Sequence, residues 1–187
     1  MEFFGLPGSG KTYIMKERFD VQDKEFSSKV ERIKKYLLVG RFALLHPLTF
    51  SRFMVVAVRE TRRDIPLLVH KVKFLLFNAF AREEAVSSQK QQVVGEGLIN
   101  YLLTMFERRV LDMDLAPFAS FVRTRVVIIV EAPREVRERR MQERGRVPRS
   151  TFGPEYETAR RGIEEHNYNV IKQFLCNTTK AEIIQNP

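Results

Sequence analysis

Gly5-Leu6-Pro7-Gly8-Ser9-Gly10-Lys11-Thr12 matches the spacing G-x-x-x-x-G-K-[ST], and its flanks fit that pattern. Glu2-Phe3-Phe4 reads as a short buried strand entering the loop, and Lys11 to Phe19 as a helix leaving it. Each residue type then has a physical job. Glycines let the backbone take positive φ angles and approach a ligand closely. Backbone N–H groups face inward as an anion nest, and the helix N-terminus adds partial positive charge. Lys11 is placed to bridge the β- and γ-phosphates of a nucleotide, and the Thr12 hydroxyl to sit on Mg²⁺. The expected ATP-binding set is Gly5, Pro7, Gly8, Ser9, Gly10, Lys11 and Thr12. A turn that merely joined strand to helix would not require Lys and Thr at these two positions.

Outward from the loop, Arg125 to Val130 is the clearest strand, continuously apolar and β-branched as a strand covered on both faces should be. Gln91 to Gly95 and Ala181 to Ile184 read as further strands, and a short one near Val21 would make five. Helices are expected over Phe26–Val39, from Thr49 or Ser51 to Arg63, from Pro66 to Glu84 with Asp64 as cap, and over Leu98–Val110, Arg134–Arg144 and Pro154–Phe174. Gly40 and Pro47 punctuate the second of these regions. Strands alternating with helices across long connections predict an α/β chain: a parallel sheet of four to five strands between helical layers.

The chain has 187 residues, 44% of them hydrophobic and 29% charged, enough for one domain with a real core. Cys176 is the single cysteine, so no disulfide framework forms within the chain; it reads as a small buried residue, and a reducing, cytoplasmic setting is expected. Met1 to Phe4 does not read as a signal peptide. The most apolar stretch, Tyr36 to Val58, is interrupted by Arg41, His46, Pro47 and Arg52, short of a membrane span. The net charge is +9, and Lys29 to Arg82 holds twelve Lys or Arg against three acids. That excess fits an anionic partner or a solvated basic surface.

Arg134, Arg137, Arg139, Arg140, Arg144, Arg146 and Arg149 crowd the segment after the Arg125–Val130 strand. Arg137, Arg140 and Arg144 share one helix face by spacing. One reading is a helix laced with ion pairs to Glu138 and Glu143. The other is a lid over residues 134–150, because phosphoryl transfer spreads charge over the migrating group and guanidinium groups meet that charge.

The loop and the stretch Val126 to Arg146 together resemble the P-loop nucleoside and nucleotide kinase-like group, with a thymidylate-kinase-like core. The resemblance implies a three-layer P-loop NTPase fold over residues 1–187, a helical acceptor-side insert at 20–90, and ATP with Mg²⁺ as cofactors. It implies that Arg140, Arg144 and Arg146 hold the adenine side and the phosphates. Such kinases carry an acidic motif at the end of the third strand, where this chain reads Val93-Val94-Gly95-Glu96-Gly97. Glu96 is therefore the candidate carboxylate for polarising the acceptor or holding magnesium water, or else a cap on the following helix.

The catalytic set is thus Lys11, Glu96, Arg140 and Arg144, acting on a small anionic acceptor, a nucleotide or a sugar- or lipid-linked group. Arg41, Arg52, Arg59, Arg62 and Arg63 are the acceptor-side residues to test. Pro66 to Phe80 reads as a core helix, or as a greasy surface with Lys71 and Lys73 reaching membrane headgroups. A nucleic-acid-acting protein and a nucleotide-binding regulator without catalysis are the competing functions.

Overall fold

Val127, Ile128, Ile129 and Val130 form the centre of β2 (Val126–Glu131) and are buried on both faces. A computed structural model describes residues 1–19, 29–61, 64–87, 93–95, 97–143 and 153–187. Among these, β2 pairs in parallel with β1 (Glu2–Phe4) on one side and β3 (Lys180–Gln185) on the other. Beyond β1, Val94 makes a parallel bridge to Glu2. The described sheet therefore has three strands plus that bridge, fewer than the four to five expected. Gln91 and Gln92, the first residues of the strand expected over Gln91–Gly95, and Val21, near which a further strand was expected, lie outside the described residues.

The sheet separates two apolar clusters, as the period-two alternation of strands dictates. Phe4, Val127 and Ile129 point to one face, with α5 (Leu98–Met105) and α9 (Pro154–Thr178) among the helices packed there. Phe3, Ile128, Val130 and Ile184 point to the other, against Ile14, Met15 and Phe19 of α1 (Lys11–Phe19). The α/β class and the parallel sheet agree with the expectation.

Three long helices stand between α1 and Val94: α2 (Lys29–Leu45), α3 (Pro47–Glu60) and α4 (Ile65–Ser87). Gly40 does not end α2; the helix runs through it, since one interior glycine costs only about 1 kcal/mol. Pro47 opens α3 from the first helical turn, where its missing N–H is harmless, so the helix starts before Thr49. Asp64 caps α4 as expected, its Oδ1 accepting the Leu67 N–H at 2.9 Å. Leu67, Leu75, Ala79 and Phe80 place the Pro66–Phe80 stretch in the core. Two short helices, α6 (Asp112–Leu115) and α7 (Ala119–Val122), lead to β2, and α8 (Arg134–Glu143) follows it. Cys176 is exposed, contrary to expectation, because it lies off the α9 face that carries Tyr168, Ile171 and Leu175.

Helix α5 is apolar nearly all round and buried nearly all round, so water does not reach its ends. At its start the Ile99 N–H donates to Glu2 Oε2 at 3.0 Å. At its end, the Lys71 ammonium donates to the carbonyls of Thr104 (3.1 Å) and Met105 (2.6 Å). Arg160 from α9 donates to those of Leu103 (3.1 Å) and Phe106. Glu107 balances both cations, paired with Lys71 and 3.8 Å from Arg160, and accepts the Tyr156 hydroxyl at 2.8 Å. Lys71 is only 2% exposed, so it does not reach a membrane surface. The negative end of the α5 dipole and its orphan carbonyls draw it inward instead.

Burial pushes the Glu107 carboxyl up, but the Arg160 and Lys71 cations and hydrogen bonds from Lys71 and Tyr156 outweigh it and hold the group below its ordinary range. A carboxylate depressed in the folded state stabilises the fold above its unfolded pKa of about 4.3, and that contribution fades as pH falls through the lower folded value. Glu107→Gln is expected to flatten the acid limb of a melting-midpoint curve below about pH 4.3. An acid limb as steep as the parent's would contradict the assignment.

Candidate active site

Strand β1 ends at Phe4, and the chain turns through Gly5–Gly10 into α1, so the loop sits at the carboxyl edge of the sheet. Connections from β1 and β2 leave in opposite directions, toward Val94 and toward β3, which makes the β1–β2 gap a topological switch point. Gly8 and Gly10 have φ of +79° and +90°. A Cβ on Gly8 would also stand 2.6 Å from the Arg137 carbonyl oxygen of α8. Gly8→Ala combines about 1–2 kcal/mol of left-handed strain with a backbone clash. It is expected to lower the melting midpoint by about 4 °C or more and to weaken nucleotide binding; calorimetric scans with and without magnesium-ATP would check both.

The Lys11 ammonium donates to the carbonyls of Gly5 (2.6 Å) and Leu6 (3.2 Å), which holds it over the loop. Ser9 N–H donates to Leu6 O at 3.2 Å, and the Ser9 hydroxyl is buried with no hydrogen-bond partner among the described residues. Thr12 stands exposed in the first turn of α1. No group of three or more His, Cys, Asp or Glu among the described residues could hold a metal by itself.

The far end of the sheet clamps the loop. Asn186, just past β3, donates its amide to Ser9 O at 2.8 Å and its backbone N–H to Glu131 O at 2.8 Å. The Glu131 carboxylate accepts from the Tyr168 hydroxyl (3.0 Å), Lys172 (2.9 Å) and Gln185 (2.9 Å). Burial raises its pKa, but those three hydrogen bonds and the Lys172 charge outweigh it and hold the carboxyl low. Burial and the neighbouring Glu131 push the Tyr168 phenol up, so it stays a donor. Sequence patterning carried no sign of this hub, whose members are far apart in the chain.

The arginine-rich helix divides between the two readings. Arg134 pairs with Glu138 at 2.9 Å on the surface. Arg137 is buried, donates to Ala132 O at 3.3 Å and pairs with Glu165 of α9, so it ties α8 down. Arg140 leans over the loop instead. Its Nη1 lies 3.4 Å from where a Cβ on Gly10 would stand and is buried with no hydrogen-bond partner among the described residues. Its Nη2 donates to Pro187 O at 2.9 Å. Arg144 and Arg146 lie outside the described residues, as does Glu96. The α5 N-terminus that Glu96 would cap begins at Gly97, and its Ile99 N–H donates to Glu2 Oε2.

Gly95 has a packing reason. A Cβ there would stand 2.5 Å from Met15 Sδ of α1, so a bulkier residue would require the flexible end of the Met15 side chain to shift.

A cavity of about 270 Å³ opens on the Lys11 side of the loop. Phe74, Tyr101 and His70 give it an aromatic wall, and Asn100, Thr104 and Glu164 a polar one. Asn100 is 6% exposed, and its Oδ1 has no hydrogen-bond partner among the described residues. Of the arginines named for the acceptor, the described ones, Arg41, Arg52 and Arg59, do not line this cavity. Arg41 faces Glu83 at 3.7 Å, Arg52 donates to Pro117 O at 2.6 Å, and Arg59 lies between Glu60 and Asp114. Arg62 and Arg63 lie outside the described residues. Helix α4 supplies the cavity wall that carries His70, Lys71 and Phe74, and its local pattern of an apolar core helix concealed that.

The chain is similar to a deoxyadenosine kinase from M. mycoides, solved with bound dCTP. The identity is 14% and the TM-score 0.43, over 99% of this chain and 90% of that one. No protein-family model matches the chain, and no curated protein does.

Proposed function

We propose that the chain is an ATP-dependent phosphotransferase acting on a small acceptor, built as one three-layer P-loop NTPase domain over residues 1–187. One observation carries this reading: the loop Gly5–Thr12 stands between β1 and α1 with the Lys11 ammonium facing an acceptor-sized cavity. Bound ATP supplies the phosphoryl group, with Mg²⁺ neutralising its charge. The loop N–H groups and Lys11 hold the phosphates, and Thr12 offers its hydroxyl to the metal. Arg140, together with Arg144 and Arg146 of the 134–150 segment, closes over the nucleotide as a lid. Glu96 takes the acceptor's proton. Residues 20–90 form the acceptor side, with α4 at its centre.

The cavity favours an acceptor with an aromatic or apolar part against Phe74 and Tyr101 and a donor group for Asn100 Oδ1. Nucleosides and nucleotides fit that description, and Lys11 would meet an anionic edge. Its size, about 270 Å³, suits a small molecule rather than a polymer chain.

The experiment is transfer of label from γ-labelled magnesium-ATP to a panel of nucleosides, nucleotides and sugar phosphates. A phosphorylated product is expected, with turnover lost in Glu96→Gln and retained ATP binding. Release of inorganic phosphate alone with every acceptor would overturn the reading.

A further inference from the structure

Helices α2 and α3 each bury one face, through Val39 and Phe42 in the first and Phe53 and Ala57 in the second. Their outer faces are also apolar. On α2 the exposed positions Tyr36, Leu37, Leu44 and Leu45 lie on one stripe, by spacings of seven and eight. On α3 they are Leu48, Val55 and Val58. The helices meet at an elbow of 107°. Its apex carries Leu44 (82% exposed), Leu45 (59%) and Leu48 (72%) within five residues.

The same faces carry cations. Arg41 stands one turn from both Leu37 and Leu45, with about half its side chain exposed, and Arg52 is exposed one turn from Leu48. Across α2 and α3 the sequence has seven Lys or Arg against two Glu. We propose that the elbow and outer faces of α2 and α3 dock the protein on an anionic phospholipid bilayer. The leucines enter the headgroup boundary while arginine stems lie along the apolar surface and their guanidinium groups reach lipid phosphates.

Charge separates this occupant from the others. A second copy docked through the same patch would set basic faces against each other. Nucleic acid would meet aliphatic side chains where stacking rings are needed. No single described helix is long and apolar enough to cross a bilayer; α2 and α3 pass that test only as a pair bent by 107°, and each buries one face in the core, so the proposed contact is peripheral. It uses no residue of the phosphate loop, and its failure would leave the phosphotransferase reading untouched.

The test is co-sedimentation of the full chain with vesicles of phosphatidylcholine alone or with roughly 30 mol% phosphatidylglycerol. Binding is expected with the anionic vesicles only, falling as salt rises above about 0.1 M. The combined Leu44→Ser, Leu45→Ser and Leu48→Ser variant should bind at least about tenfold less at an unchanged melting midpoint. The chain has no tryptophan, so Leu44→Trp provides a second measurement that does not depend on that variant folding. Its emission should shift to the blue on anionic vesicles, while Met113→Trp, on exposed α6, should not shift. An unshifted Leu44→Trp, or serine substitutions without effect on sedimentation, would overturn the proposal. So would a lipid-free dimer that those serine substitutions dissociate, which would assign the surface to a second copy.

Discussion

Replacing Lys11 with alanine is expected to weaken magnesium-ATP binding at least about a hundredfold, close to 3 kcal/mol, with the melting midpoint of the nucleotide-free protein nearly unchanged. The asymmetry follows from where the ammonium sits. In the protein it donates to two loop carbonyls, Gly5 O and Leu6 O, beside a half-buried surface that water can reach. Losing it exchanges those two bonds for water, a change of about 1 kcal/mol or less. Toward a triphosphate the same group is a full charge in a cradle of backbone dipoles, where charged hydrogen bonds are strongest. Isothermal titration calorimetry beside a thermal melt separates the two effects. Equal affinity in parent and variant would remove the basis of the phosphotransferase reading.

Lys71→Met is expected to do the reverse and destabilise the protein by about 3–5 kcal/mol, a large fraction of the 5–15 kcal/mol typical of a domain. Lys71 is buried, and three acceptors depend on it: Thr104 O, Met105 O and Glu107. Removing the cation leaves two carbonyls at the buried end of α5 short of a donor and takes from Glu107 the nearer of the two cations described beside it, Lys71 and Arg160. Urea titration should show a lowered midpoint. The double substitution Lys71→Met with Glu107→Gln should recover part of the loss, because the uncompensated carboxylate is then gone. A single variant as stable as the parent would mean that water, not Lys71, satisfies the α5 terminus. Because Lys71 also lines the cavity beside Lys11, the two variants distinguish a cation that binds from one that supports the wall.

Much of the architecture was legible locally. The β-branched run Val126–Val130 reads as a strand, and Val127–Val130 lie covered on both faces at the centre of the described sheet. The Asp64 cap, the extents of β1 and α1 and the loop between them follow from residue types at short range. The bounds of α2 and α3 came out differently because punctuation by Gly40 and Pro47 is weak beside the packing of whole helices. Nothing local marked Lys71 as buried, since a lysine on an apolar helix is ordinarily exposed. The deciding partners are carbonyls 33 and 34 residues away, which meet it only when α5 ends against α4.

By itself the sequence determined the Gly5–Gly10 turn, its flanking strand and helix, and the α/β class, because hydrophobic period and glycine placement act within a few residues. Only the tertiary structure decided which cations are structural and which face open space. It set Arg137 and Lys71 against buried partners, left Arg140 over the loop, and turned an apolar elbow outward. The reason is that a charge's energy depends on its surroundings, and those are assembled from segments distant in the chain.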